Sequence, residues 1–263
     1  MLLLLAGAAW GESVKQGFVL RVHGPAGAVS ARLGEKTVRL FAEGAGTFGL
    51  MPVAIAEKPG EYRLELLDAA GAVVESRAVQ VVDAHYRKQN VTMSEGTAEL
   101  KPSPGETETV TAFREAVSET RFWEEPLERP VHGCMTSPFG VQRYLNGKPT
   151  GSAHAGLDLR SSAGTPIHAA AGGVVRIVRE WNLHGRTVAI DHGQGLETIY
   201  LHMSRHAVAE GQTVKKGDVI GYVGSTGRST APHLHWTIYA NGWPVNPLDW
   251  VKVAGCGAAG KKK

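Results

Sequence analysis

His233-Leu234-His235-Trp236-Thr237-Ile238-Tyr239 is an apolar, β-branched and aromatic run that reads as a strand. Side chains two apart on a strand share a face, so His233 and His235 point one way while Leu234 points to the core. A pair of nitrogens is thereby offered to one site. Outward from this run, Val174-Val175-Arg176-Ile177-Val178, Thr187-Val188-Ala189-Ile190, Thr198-Ile199-Tyr200-Leu201 and Val219-Ile220-Gly221-Tyr222-Val223 repeat the composition, with frequent glycine between them. These features predict an all-β domain over 130–253. Gly164-Thr165-Pro166-Ile167 before one strand is echoed by Gly211-Gln212-Thr213-Val214 before another, which suggests two related halves.

Nine of the eleven histidines lie at or after His132, so chemistry is sought in this domain. In His154-Ala155-Gly156-Leu157-Asp158 an imidazole and a carboxylate lie four apart, and Gly156 with the following Ser-Ser-Ala-Gly-Thr-Pro argues for a turn and strand. Both side chains can reach one metal ion. A catalytic zinc typically takes three ligands from histidine and carboxylate and keeps a fourth position open for water. Two neutral imidazoles and one carboxylate leave a net positive centre, which lowers the pKa of water from about 15.7 toward about 7 and polarises a carbonyl. His202, in Tyr200-Leu201-His202-Met203, is a third imidazole suited to moving protons or stabilising an oxyanion. Tyr200 is a candidate groove residue with a core tyrosine as the alternative. Arg228, within Thr226 to Thr230, is a candidate substrate contact with a tight turn as the alternative. His168, His184, His192 and His206 read as structural or exposed.

In order, His154-Ala-Gly-Leu-Asp158, Gly164-Thr-Pro-Ile-His-Ala-Ala-Ala-Gly-Gly-Val174, Tyr200-Leu-His202-Met, Gly211-Gln-Thr-Val-Lys-Lys-Gly-Asp-Val-Ile-Gly221 and Gly227-Arg-Ser-Thr-Ala-Pro-His233-Leu-His235-Trp resemble the lysostaphin/LytM-type peptidoglycan endopeptidases. The resemblance covers roughly 130–250. It implies a β-sheet-rich barrel-like sandwich with a groove over one zinc ion, held by His154, Asp158 and His235. His202 and His233 would flank the metal-bound water as the catalytic pair, either one serving as base. The implied substrate is the peptide part of peptidoglycan. Family members that have lost zinc ligands act as regulators of other cell-wall hydrolases. Here all five residues are present, which favours an enzyme, with an autoinhibited or non-enzymatic envelope regulator as the alternative. Gln142 to Ser152 is read as a loop that walls or lids the groove. A lipoyl- or biotinyl-carrier module is dismissed, because no lysine lies between Val174 and Gly211.

The rest of the chain reads as support. Alternating runs such as Phe18-Val19-Leu20-Arg21-Val22 and Tyr62-Arg63-Leu64-Glu65-Leu66, broken by Gly24-Pro25, Gly44, Pro59-Gly60 and Ala70-Gly71, predict a small antiparallel β-sandwich over 17–83. It loosely resembles the Ig-like modules that precede such domains. The stretch 84–129 is a linker with one helix. Ser103-Pro104-Gly105-Glu106 has capping-box spacing, and Val110, Phe113 and Val117 recur at helical intervals, predicting about four turns that end before Pro126. Met1 to Ala9 is apolar with small residues after it, although it lacks a basic start; it is read as a signal peptide, implying export to the periplasm or envelope. It is too short to span a membrane. Cys134 and Cys256, the only cysteines, would clasp the second domain if oxidised, as suits an exported protein. The formal net charge of +3 equals Lys261, Lys262 and Lys263 in the tail 254–263, so no nucleic-acid footprint is visible. A monomer is expected.

Overall fold

The computed structural model describes residues 12–256; the expected signal peptide and Lys261 to Lys263 lie outside the described residues. The chain opens with β1 (Glu12–Lys15), β2 (Val19–Pro25), β3 (Ser30–Leu33), β4 (Lys36–Arg39), β5 (Phe41–Glu43), β6 (Gly46–Pro52), β7 (Gly60–Leu67) and β8 (Val73–Val82). They form two sheets, in the orders β1-β8-β7-β3-β4 and β2-β6-β5. The sheets close on a core that includes Val22, Leu33, Met51, Leu64, Leu66, Val79 and Val81. The alternation of β7 is what permits this, because Leu64 and Leu66 are buried while Arg63 is exposed. The sandwich starts before residue 17 and is not wholly antiparallel. β1 adds in parallel to β8, with Val14 opposite Val81 and buried.

The linker holds more than one helix: β9 (Lys88–Val91), α1 (Glu95–Ala98) and α2 (Glu106–Glu115). α2 is ten residues long, against the four turns expected, and Gly105 is its N-cap. The proposed capping box is half made: Glu106 Oε2 accepts the Ser103 N–H at 2.6 Å, whereas the Ser103 hydroxyl accepts the Asn182 N–H at 2.9 Å. Val110 and Phe113 pack on Ile177, Ile199, Leu201 and Tyr239. Val117 lies beyond the helix and is exposed. The chain straightens there because tertiary bonds capture it. Ser118 O accepts the Gln194 N–H at 2.9 Å and Phe122 N–H donates to His192 O at 2.8 Å.

The second unit comprises β10 (Cys134–Ser137), β11 (Gln142–Leu145), β12 (Lys148–Ala153), β13 (Leu157–Arg160), β14 (Pro166–His168), β15 (Gly173–Trp181), β16 (Gly185–Gly193), β17 (Leu196–His206), β18 (Thr213–Val214), β19 (Val219–Val223), β20 (His233–Ala240) and β21 (Trp243–Val245). Ten of these make one sheet, with the path β10-β13-β20-β17-β16-β15-β18 and β14, β19 and β21 alongside. The echoed segments swap partners: β14, before β15, pairs with β19, and β18, before β19, pairs with β15. Gln142 to Ser152 is a β-hairpin, not a loop, and it joins β9 in a separate three-stranded sheet of order β12-β11-β9. One apolar cluster runs through both units, joining Val19, Phe48 and Leu50 to Trp123, Leu127 and Trp250. A disulfide joins Cys134 to Cys256 across 122 positions. No helix among the described residues is long and apolar enough to cross a membrane.

Candidate metal centre and groove

In the pairing of β13 with β20, Asp158 lies opposite His235 and Arg160 opposite His233. β17 runs on the other side of β20, with Leu201 opposite His235, so His202 follows one residue on. His154 enters from the turn before β13, its N–H bonded to Val141 O at 2.9 Å. Gly156 allows that turn to close: a Cβ there would stand 2.4 Å from Trp236 O and 2.9 Å from His235 Nε2.

The three expected ligands converge. His154 Nε2 is 3.1 Å from Asp158 Oδ1 and 3.0 Å from His235 Nδ1, and His235 Nδ1 is 2.8 Å from the same Oδ1. His154 Nδ1–H donates to Pro138 O at 2.8 Å, which leaves Nε2 with its lone pair facing inward. His235 Nε2 is engaged by Thr237 Oγ1 at 3.0 Å, leaving Nδ1 to the cluster. Two ring nitrogens and a carboxylate oxygen at this spacing fit a shared cation, and their outer partners are those that orient metal-bound histidines. Burial alone would raise the Asp158 carboxyl, but His154 and His235 against it hold it well below the usual carboxylate range. Burial pushes His235 down to about 4, so its ring is neutral and able to ligate at neutral pH.

His202 and His233 stand beside the cluster with ring centroids 4.9 Å apart. His202 Nδ1–H donates to Thr226 O at 2.8 Å, and His233 Nδ1–H donates to Ala231 O at 2.8 Å. His233 Nε2 lies 3.8 Å from Asp158 Oδ1. Burial, then His233 and His235, push His202 down to about 3, so it is an unprotonated acceptor at neutral pH. Its φ of 64° is in the left-handed region, uncommon outside glycine and often retained at functional sites.

These residues floor a groove of about 630 Å³. β9 and the β11–β12 hairpin line it, as do Leu183, His184 and the stretch Arg228 to Thr230. Arg228 is thus at the groove. Tyr200 is not: it is fully buried, and its hydroxyl accepts the Ala170 N–H at 2.9 Å, so it is a core tyrosine. His184, read as structural or exposed, lines the groove, and its Nδ1 bonds the buried carboxylate of Glu106. Arg143 also escaped the sequence reading. Its Nη2 donates to Asp158 Oδ2 at 2.7 Å. Neither His184, Glu106 nor Arg143 carries metal-ligand spacing; the capping position of Glu106 was the one local hint.

A cation held by His154, Asp158 and His235 would polarise a carbonyl, and the imidazoles of His202 and His233 are placed to move protons to and from a nitrogen, the two needs of amide hydrolysis. Residues 152–247 match the model of "Peptidase family M23". A crystal structure described as a peptidase M23 from Pseudomonas aeruginosa superposes with a TM-score of 0.67 at 30% identity, covering 89% of this chain and 93% of that one. The DD-carboxypeptidase/endopeptidase Mpg of Neisseria meningitidis is 44% identical over 127 residues, which are 48% of this chain and 28% of that protein. The peptidoglycan DD-endopeptidase ShyA of Vibrio cholerae is 42% identical over 95 residues, 36% of this chain and 22% of that protein. Because it is 30% identical to that Pseudomonas aeruginosa structure and covers nearly all of it with the same fold, the chain belongs to peptidase family M23. It spans under a third of the length of these two curated relatives.

Proposed function

We propose that this chain is a zinc-dependent endopeptidase acting on peptide bonds in the stem or cross-bridge peptides of peptidoglycan, working outside the cytoplasm. The observation that carries the reading is the convergence of His154, Asp158 and His235 beside two further imidazoles on the floor of an open groove. The names of the two curated relatives support the substrate class. The Cys134–Cys256 disulfide supports an oxidising compartment.

Zinc held by His154 Nε2, Asp158 Oδ1 and His235 Nδ1 would supply a Lewis acid for the scissile carbonyl and for water. The protein residues do the rest. His202 and His233 each hold Nδ1–H against a backbone carbonyl, so each offers Nε2 to accept or return a proton. The same rings, once protonated, donate to the oxygen on which negative charge develops. Arg228 on the rim, with the hairpin opposite, orients the peptide.

Purified muropeptides incubated with the protein, with and without a chelator and beside His235→Ala, test the proposal, with products read by mass spectrometry. Cleavage that both treatments abolish is expected, and product masses name the bond. Stoichiometric zinc binding without cleavage would overturn the enzyme reading in favour of an envelope regulator.

A further inference from the structure

We infer that Arg143, Ser137 and Gln89 form a positioning layer behind the metal ligands, through which linker strand β9 sets the affinity of the centre for its ion. The inference rests on the metal reading above. Asp158 has two oxygens in different surroundings. Oδ1 faces both imidazoles, at 3.1 Å from His154 and 2.8 Å from His235. Oδ2 accepts from Arg143 Nη2 at 2.7 Å. A carboxylate so held presents one oxygen to a metal and is prevented from swinging to present two. Its negative charge is also shared with the guanidinium, which leaves the centre more electrophilic.

The same Nη2 donates to Ser137 Oγ at 3.0 Å, and that hydroxyl donates to Gln89 Oε1 at 2.6 Å. Ser137 Oγ also lies 3.2 Å from His154 Nδ1, beside the bond to Pro138 O that fixes this ring's tautomer. A continuous set of hydrogen bonds therefore runs from Gln89 on β9 to two of the three ligands. The backbone repeats the connection. β9 pairs in parallel with β11, placing Gln89 opposite Arg143, and the hairpin's described sheet partner is β9 alone, not the ten-stranded sheet. Whatever displaces β9 removes the edge that holds Arg143 in place. The strand that walls the groove is thus also the strand that supports the metal site.

Loss of outer partners typically weakens metal binding by about 10–100-fold. Arg143→Gln should fall in that range for zinc, measured by competition against a chromogenic chelator, and Gln89→Ala should weaken binding by a smaller factor. Because Arg143 and Gln89 share Ser137 as a partner, the double variant should lose less than the product of the two. Cobalt(II) in place of zinc gives a readout that a merely structural role would not move: its visible absorption should weaken in Arg143→Gln as Asp158 becomes free to offer both oxygens, while Arg143→Lys restores part of it. If the parent chain binds no zinc, the metal reading itself fails. If the parent binds zinc and folded Arg143→Gln binds it equally, with an unchanged cobalt spectrum, this inference alone is overturned. Should Arg143→Gln not fold, unchanged zinc affinity in Gln89→Ala overturns it.

Discussion

Replacing Glu106 by alanine should destabilise the protein and slow catalysis without touching the metal. The carboxylate is fully buried at the start of α2. It accepts the Ser103 N–H at 2.6 Å, the Leu183 N–H at 3.2 Å and the His184 N–H at 2.9 Å, as well as a bond from His184 Nδ1. Alanine leaves these donors without their acceptor. Hydrogen bonds to charged groups contribute about 1.5–3 kcal/mol each, and adjacent losses are not additive, so a total of about 3–5 kcal/mol is expected. For a chain of this size that is a fall in Tm of roughly 10 °C. The catalytic effect follows from what the 183–184 turn supports: His184 O accepts the His202 N–H at 3.0 Å, and Leu183 O accepts the Arg228 N–H at 3.0 Å. A turn that loses its anchor displaces His202, the imidazole proposed to move protons, and a rim residue together. The fall in kcat/KM should be about tenfold or more, because small misplacements of catalytic groups are costly. Zinc affinity should stay within a few-fold of the parent. Thermal melts, peptide turnover and chelator competition on one preparation read all three quantities. A Tm loss below about 3 °C, or unchanged turnover in the folded variant, refutes the reasoning.

Gly156→Ala puts a methyl 2.4 Å from Trp236 O; the His154 turn must open, and zinc titration should show a loss of affinity of at least about tenfold. Reducing the disulfide, or replacing Cys134 and Cys256 by serine, frees a loop of 122 positions and should cost about 4–5 kcal/mol in chemical denaturation. His192 is fully buried, and burial pushes its imidazole from 6.5 down to about 4. The unfolded chain takes up a proton near pH 6.5 and the native one does not, so stability is full above that pH and falls as pH drops toward 4, by about 3 kcal/mol. Melts from pH 7.5 to 4.5 should show that slope reduced in His192→Gln; an equal slope would assign it elsewhere. Glu197 is buried with neither oxygen bonded within the described residues, and burial followed by Asp191 raises its carboxyl well above the usual range. That raised value is a cost present above about pH 4.5 and relieved as the carboxyl protonates at lower pH. Glu197→Gln should therefore raise Tm at pH 8 and gain less at pH 5.

The strands were legible wherever burial on one face imposed alternation. Leu64 and Leu66 on β7, and Leu234 between two groove-facing histidines on β20, are such cases. The cluster of candidate ligands was legible because a metal asks for few residue types at short spacing: Asp158 follows His154 by four, and cross-strand register then brings His235 opposite Asp158. The failures have a common cause in tertiary contact. Val117 continues a helical interval but the chain is pulled straight by bonds from Ser118 and Phe122 to the second unit. Tyr200 is next to Leu201 and two residues from His202, yet it faces the interior. Arg143, Ser137 and Gln89 carry no pattern, because their meeting depends on a parallel pairing between segments 54 positions apart.

Trp123 packs between Phe48 of the sandwich and Trp250 of the second unit, with centroids 6.0 and 5.7 Å away, while Asn241 Nδ2 donates to Leu50 O at 2.7 Å. A module on a loose tether can wander over a meshwork while its blade searches separately. Here the two share one interior, so the molecule handles like a fixed tool: once the sandwich rests against a surface, the direction in which the groove opens is already chosen.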